Sequence, residues 1–235
     1  MENKYLDYER NFGEDTASFY NIKNYLLQDL ESYGKSQIFK KKETLFSQGE
    51  IAESVFLLKK GRVKSTCINR TGEETLLRMH YSGGIIGLTA IRENSRRDAT
   101  ATVLMESEII IIPRRKMIGA MEKDGRLGVW VSNIFLHRLC SFHYRFSQFL
   151  TCTVEQRLSH LLLTLCCYDS DNSFSLITDF SHEEFSQIVA ARRQTVTMLL
   201  NRFSEAGYIE LRRRQIHVKN HEALRKIAER TKICL

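Results

Sequence analysis

The chain has 235 residues, with 35 lysines and arginines against 28 aspartates and glutamates and a formal charge of +7. That length accommodates two domains with cores of their own; no apolar run is long enough to span a bilayer and the charged start MENKYLDYERNFGED lacks a signal-peptide pattern, so a cytoplasmic protein with no membrane partner is expected. The charge is uneven: residues 181–235 hold 11 Lys/Arg and 6 Asp/Glu, net +5, beside a nearly neutral remainder, a distribution that suits an anionic partner such as DNA.

In chain order, Asp15 or Thr16 is placed to cap a helix through Phe19, Ile22, Tyr25, Leu26 and Leu30, with Gly34 past its end. From about Ile38 to Ile112 short apolar runs alternate with glycine: Leu45–Phe46, Val55–Leu58, Val63, Leu76–Leu77, Ile85–Ile86, Ala101–Leu104 and Ile109–Ile112. Many short strands at regular intervals predict an antiparallel barrel or sandwich. Pro113, the single proline, marks its exit, and a short helix from about Arg115 to Lys123 follows.

A long helix is predicted over about Leu127 to Leu150. Phe135, Leu139, Phe142, Phe146 and Phe149 are spaced four, three, four and three, which is a coiled-coil seam and implies a homodimer interface. The competing reading is a stripe buried within one chain. Trp130, Val131 and Ile134 lie on other faces of the helix, where they can cover the barrel and leave the phenylalanine seam to a second subunit. Thr151 to Thr153 form the hinge, and a helix from Val154 to Tyr168 buries Leu158, Leu161, Leu162 and Leu165.

Ser181 to Ile209 read as two short helices joined by a tight turn and followed by a strand. Ser181 and Glu184 match a capping box. Phe185, Ile188 and Val189 form the first apolar stripe, Ala190 and Ala191 the bend, and Val196, Leu199, Leu200 and Phe203 the second stripe, with Gly207 at its end. This is a helix-turn-helix, whose second helix enters the major groove of DNA. Arg192, Arg193, Gln194, Thr195, Thr197, Met198 and Asn201 are its candidate DNA-binding residues, being of types that contact phosphates and base edges. Tyr208–Leu211 and Gln215–Lys219 flank Arg212, Arg213 and Arg214. They predict a winged hairpin whose tip, Arg213 in particular, meets the DNA backbone. A last helix, His221 to Lys232, is assigned to packing.

Phosphate-cradling GxxxxGK[ST], GxSxG and HExxH patterns are absent, so no catalytic residues are assigned and an enzyme is not expected. The cysteines, Cys67, Cys140, Cys152, Cys166, Cys167 and Cys234, form no CxxC pair and read as reduced thiols, those in the interior acting as small apolar groups. His137, Cys140 and His143 are spaced by three on one helix and cannot close a tetrahedral site unaided, so no metal site is assigned.

With these pieces in order, about residues 36–219 resemble the CRP/FNR superfamily of bacterial transcription regulators. LFSQGEIAESVFLLKKGRVKS and GGIIGL resemble the turns of its β-roll, FSQIVAARRQTVTMLLNRFSEAGYI its helix-turn-helix, and VEQRL the opening helix of its DNA domain. The resemblance implies an α+β chain: an N-terminal helix and antiparallel, jelly-roll-like β-roll sensor over 1–124, a dimerisation helix and hinge over 125–152, and a winged helix-turn-helix domain over 153–235. It implies an effector-gated regulator that acts as a homodimer on a palindromic site in double-stranded DNA and engages RNA polymerase. The alternative is a cyclic-nucleotide-type binding module that acts through a protein partner, which predicts a degenerate helix-turn-helix without a basic face.

The same resemblance assigns effector-pocket positions to Leu88, Arg97 and Asp98. Leu88 stands where the cyclic-AMP-binding members have a glutamate for the ribose, and Arg97-Asp98 where they have Arg-Ser for the phosphate. Leu88 accepts no hydrogen bond and Asp98 brings a negative charge, so cyclic AMP in the usual mode is not expected. No cysteine precedes Cys67, so neither is an N-terminal iron–sulfur cluster. His80 is the one candidate haem ligand, against its reading as an ordinary core or surface histidine, and Arg92, Arg96 and Arg97 suit either an anionic effector or an exposed charged loop. Small organic or aromatic effectors are used elsewhere in the family, and the effector stays unassigned. In the DNA part, Arg193 corresponds to a guanine-contacting arginine. Gln194 replaces the usual glutamate and Met198 a frequent base-reading arginine, so a half-site unlike those of the founding members is expected.

Overall fold

The computed structural model describes residues 24–166, 176–178, 180–213 and 215–229. The expected cap at Asp15 or Thr16, Cys167 and Cys234, Arg214 and the end of the last helix lie outside them. The chain divides into two compact units with the boundary between Arg138 and Leu139, inside the long helix.

In the first unit, α1 (Asn24–Tyr33) leads into eight strands: β1 (Lys35–Phe39), β2 (Thr44–Phe46), β3 (Ser54–Lys60), β4 (Val63–Ile68), β5 (Glu74–His80), β6 (Ile85–Ile86), β7 (Thr100–Val103) and β8 (Ser107–Pro113). They pair antiparallel into two four-stranded sheets, ordered β1-β8-β3-β6 and β2-β7-β4-β5. The short runs read from the sequence fall in these strands, except that Leu104 lies just past the end of β7, and β1 adds one that its mixed composition concealed.

Strand periodicity explains the unbroken apolar run of β3. Val55 and Leu57 face a cluster completed by Leu30, Ile110, Ile112, Met117, Leu127, Trp130, Val131 and Ile134. Phe56 and Leu58 face the opposite way, into a cluster with Phe46, Val63, Ile86, Ala101, Val103 and Ile109. A strand buried on both sides has no polar face to alternate with. Each such side chain contributes about 1.5–3 kcal/mol by leaving water. The first cluster includes α2 (Arg114–Lys123) and the start of α3 (Gly125–Thr151). Trp130, Val131 and Ile134 therefore cover the sheet, as their position off the seam implied.

In the second unit, α4 (Val154–Cys166) buries Leu158, Leu161, Leu162 and Leu165. Thr153 and Gln156 open it reciprocally: the Gln156 amide donates to Thr153 Oγ1 at 3.2 Å and the Thr153 amide to Gln156 Oε1 at 2.9 Å. Then come β9 (Leu176–Thr178), α5 (His182–Ile188), α6 (Arg193–Glu205), β10 (Ile209–Arg212), β11 (Gln215–Val218) and α7 (His221–Ala228). The wing is a three-stranded sheet, β10-β11-β9, rather than the two-stranded hairpin read from the sequence. Its third strand is three residues long, too short to show a period.

Candidate nucleic-acid interface

The expected capping box begins α5: Ser181 Oγ accepts from the Glu184 amide, and Glu184 Oε2 accepts from the Ser181 amide at 2.9 Å. Phe185, Ile188 and Val189 are buried. The chain then turns through Ala190, whose φ of 48° is left-handed, into α6. Val196, Leu199, Leu200 and Phe203 anchor α6 from beneath, and Gly207 follows it with φ 73°. Because the buried stripe takes one face, the residues between its members are turned to solvent.

Arg192, Arg193, Gln194, Met198 and Asn201 are exposed on that face, and Met198 retains 59% of its accessible surface. Thr195 and Thr197 are only half-exposed. The Thr197 hydroxyl pairs with His182 Nδ1 at 3.0 Å, so it braces the two helices as well as bordering the face. Burial, and then the neighbouring Arg193 cation, hold His182 below the ordinary histidine range. Arg192 is the N-cap, with no side-chain capping bond, and no acidic residue occupies the first turn. Two arginines at the positive end of a helix act against its dipole. An anion bound at that end would offset the conflict, because helix amides and arginine side chains both favour negative charge.

On the wing, Glu210 accepts from Arg212 Nε at 2.7 Å and from Lys219 Nζ at 2.8 Å. These two cations hold its carboxyl well below the usual range, at about 2. Arg213 is exposed at the tip and, among the described residues, has no carboxylate partner. Of the described basic side chains here, Arg213 is thus the one held least by the protein. Nothing in the spacing of Arg212 and Lys219 marks them as sharing a carboxylate.

The seam residues are exposed along α3: Phe135 44%, Leu139 50%, Phe142 61%, Phe146 51% and Phe149 39%. The Phe142 and Phe146 rings stack with centroids 6.1 Å apart.

The three effector-pocket positions do not share one cavity. Leu88 lies in the helix-facing cluster, and of the adjacent pair Arg97 and Asp98, which precede β7, the first is buried and the second exposed. Arg97 is 4% exposed and turned inward, its Nη1 donating to the Gly87 carbonyl at 2.9 Å and its Nη2 to the Ser54 carbonyl at 2.6 Å. Asp98 is exposed, and with Leu88, Arg92, Arg96 and Phe135 it borders a cavity of 620 Å3 that Arg97 does not line. His80 is buried, with Nε2 2.8 Å from Ser65 Oγ, so that nitrogen already has a partner. Among the described residues no three histidine, cysteine or acidic side chains gather as a metal site, and no helix is long and apolar enough to cross a membrane.

Residues 36–124 match the family of cyclic nucleotide-binding domains and residues 156–227 that of Crp-like helix-turn-helix domains. The chain is 22% identical over 195 residues to the fumarate and nitrate reduction regulatory protein of Shigella dysenteriae, covering 82% of this chain and 78% of that one. It is 26% identical over 195 residues to the global nitrogen regulator of Synechococcus elongatus, covering 79% and 86%. Its fold resembles that of FixK2 from Bradyrhizobium japonicum with a TM-score of 0.73 at 17% identity, over 84% of this chain and 98% of that one. These matches do not support the alternative of a module acting only through a protein partner, and the exposed arginines of α6 are the basic face which that alternative lacks. Sensor domain, long helix and winged helix-turn-helix follow one another as the sequence motifs implied, and the chain belongs to the CRP/FNR superfamily of DNA-binding transcription regulators.

Proposed function

We propose that this regulator reads a palindromic site with α6, using Arg193, Gln194 and Met198 on base edges and Arg192, Thr195, Thr197, Asn201 and Arg213 on backbone or flanking positions. The observation that carries this reading is the α6 face itself: long polar and basic side chains stay in solvent while the opposite stripe is fully buried. A protein gains nothing in stability from that arrangement, but a duplex gains a matched surface.

Homodimerisation through Phe135, Leu139, Phe142, Phe146 and Phe149 supplies the two-fold symmetry. Five large apolar side chains in one row, each more than a third exposed, form a patch of the kind that association covers. Two recognition helices held this way address half-sites one turn apart, about 34–36 Å. The sensor unit gates this geometry through an effector that binds the DNA-competent state more tightly. RNA polymerase is the further protein partner and the cytoplasm the place of action. The regulator catalyses no reaction in this reading.

The test is duplex binding by the purified full chain, read by fluorescence anisotropy across a salt series. Binding selected from a randomised pool, with a log–log salt slope of several units, is the expected result. Failure to bind any duplex at low ionic strength, with cell extract supplied as the source of effector, overturns the reading.

A further inference from the structure

The opening turn of α4 reaches three neighbours with three consecutive side chains. Glu155 forms an ion pair with Arg202 of α6, Gln156 donates to the Ala228 carbonyl of α7 at 3.4 Å, and Arg157 crosses to the turn before α6. Arg157 differs from the other two in holding both ends of a connection. Its Nη1 donates to the Cys152 carbonyl at 2.7 Å, just past the end of α3, and its guanidinium lies 5.3 Å from the centre of the Phe149 ring. Its Nε donates to the Val189 carbonyl at 2.9 Å, and its Nη2 to the Ala190 carbonyl at 3.4 Å.

Val189 and Ala190 form the turn between the two helices, and Ala190 has the left-handed backbone that sets its angle. One rigid, planar group thus joins the end of the seam helix to the turn that aims the recognition helix. A guanidinium suits this task because its donors keep fixed directions, so a shift of one carbonyl is passed to the others.

We propose that Arg157 is the positioning residue through which the placement of the end of α3 sets the direction of α6. This rests on the DNA-binding reading, which it deepens by naming the residue that couples the seam to the probe. Phe149 is itself a seam residue, so a change in how two seam helices pack reaches Arg157 directly. Arg157 touches no base or phosphate in this account. Its effect appears in how far apart two half-sites are read, not in which bases are read.

Two measurements on the full chain test it, using Arg157→Gln and Arg157→Lys. The first needs no DNA: nitroxide amino acids at Ser147 of α3 and Glu205 of α6, spin-diluted with unlabelled protein, report the distance distribution within one chain. Arg157→Gln is expected to broaden it by about twofold or more, because the turn loses its tie to the hinge. The second is selection from duplexes with a fixed half-site and varied spacer. Wild type is expected to favour one spacing by about tenfold, and Arg157→Gln to lose most of that preference while selecting the same half-site bases. Arg157→Lys keeps the charge without the fork and carries both measurements if the glutamine variant does not fold. An unchanged distance distribution, or an unchanged spacer preference in a folded variant, overturns the proposal. A wild type that ignores every duplex overturns the DNA-binding reading instead, and the distance measurement still decides the role of Arg157.

Discussion

The guanidinium carbon of Arg97 lies 4.1 Å from the centre of the Phe46 ring, inside the sheet sandwich. Phe56 flanks it at 5.5 Å, and the two phenylalanine rings are themselves 5.4 Å apart. Two backbone carbonyls accept from it, so ring faces and carbonyl dipoles are its direct contacts, while the Glu50 and Asp98 carboxylates favour its charge from further off. Burial lowers the Arg97 pKa from its ordinary value, although the side chain stays protonated. Arg97→Ala removes this packing and leaves both carbonyls without their donor, and is expected to cost about 3 kcal/mol in urea unfolding. Arg97→Met keeps much of the volume and should cost less. Equal stability of wild type and Arg97→Ala would show that the contact holds nothing.

Gly87 shares this site. Its φ is 75°, and a Cβ there would sit 2.5 Å from Arg97 Nη1. Gly87→Ala therefore meets both backbone strain and a clash, with an expected loss of about 2 kcal/mol. Removing the Arg97 side chain relieves the clash but not the strain. The cost of Gly87→Ala should consequently be smaller in the Arg97→Ala background, and a double-mutant cycle by chemical denaturation checks this. A coupling of zero would place the whole penalty in the backbone.

Much of this arrangement was legible in the sequence, and what was not has a common cause. The capping box of Ser181 and Glu184, the stripes of α5 and α6, and the exposed row from Phe135 to Phe149 depend on spacing within one element, which a sequence displays directly. The partners of Arg97, Arg157 and Glu210 depend on which strands and turns become neighbours. Arg157 meets Val189 32 positions away and Arg97 meets Ser54 43 positions away, separations over which no periodic signal carries. Thr197 shows the same limit: its place on the outer face was clear from α6, and its bond to His182 was not.

Arg193 and Gln194 stand exposed at the start of α6, and among the described residues neither side chain forms a hydrogen bond or ion pair. Arg193→Ala should relax base preference at one position of each half-site, a loss of about 1–3 kcal/mol of discrimination. Gln194→Glu replaces a side chain that pairs with adenine by one that accepts from the cytosine amino group. Its selected half-sites should move from adenine toward cytosine at that position. Recovery of an unchanged consensus from either variant in a binding-site selection would remove that residue from base reading.

The wing separates two kinds of basic residue. Arg213 is free to meet a phosphate, so Arg213→Ala should weaken all duplexes alike and flatten the log–log salt slope by about one unit. Arg212 and Lys219 are shared by Glu210. Glu210→Gln releases both, and is expected to raise non-specific affinity at low salt and steepen the slope by about one unit. A slope unchanged in Glu210→Gln would mean that these cations lie out of reach of the backbone.

Acid should act on this domain in two separate windows, each set by one named group. His182 has a folded pKa depressed below 6.5, so the folded state binds fewer protons than the unfolded state as pH falls. Its contribution to stability is complete above about 6.5 and is lost progressively below, until pH passes the lower folded value. His182→Asn retains a hydrogen-bonding side chain for Thr197 but does not titrate, and should remove this step. Glu210 acts lower: its carboxyl titrates at about 2 when folded against 4.5 unperturbed, so its contribution holds above 4.5 and disappears as pH falls through about 2. Exposure to solvent keeps that second effect small. Thermal melts of wild type, His182→Asn and Glu210→Gln, taken from above the histidine window down through the carboxylate window, resolve the two. A wild-type profile that stays level between pH 7 and 5 while His182→Asn changes shape would contradict the assignment, because the removed group would then have had no window of its own.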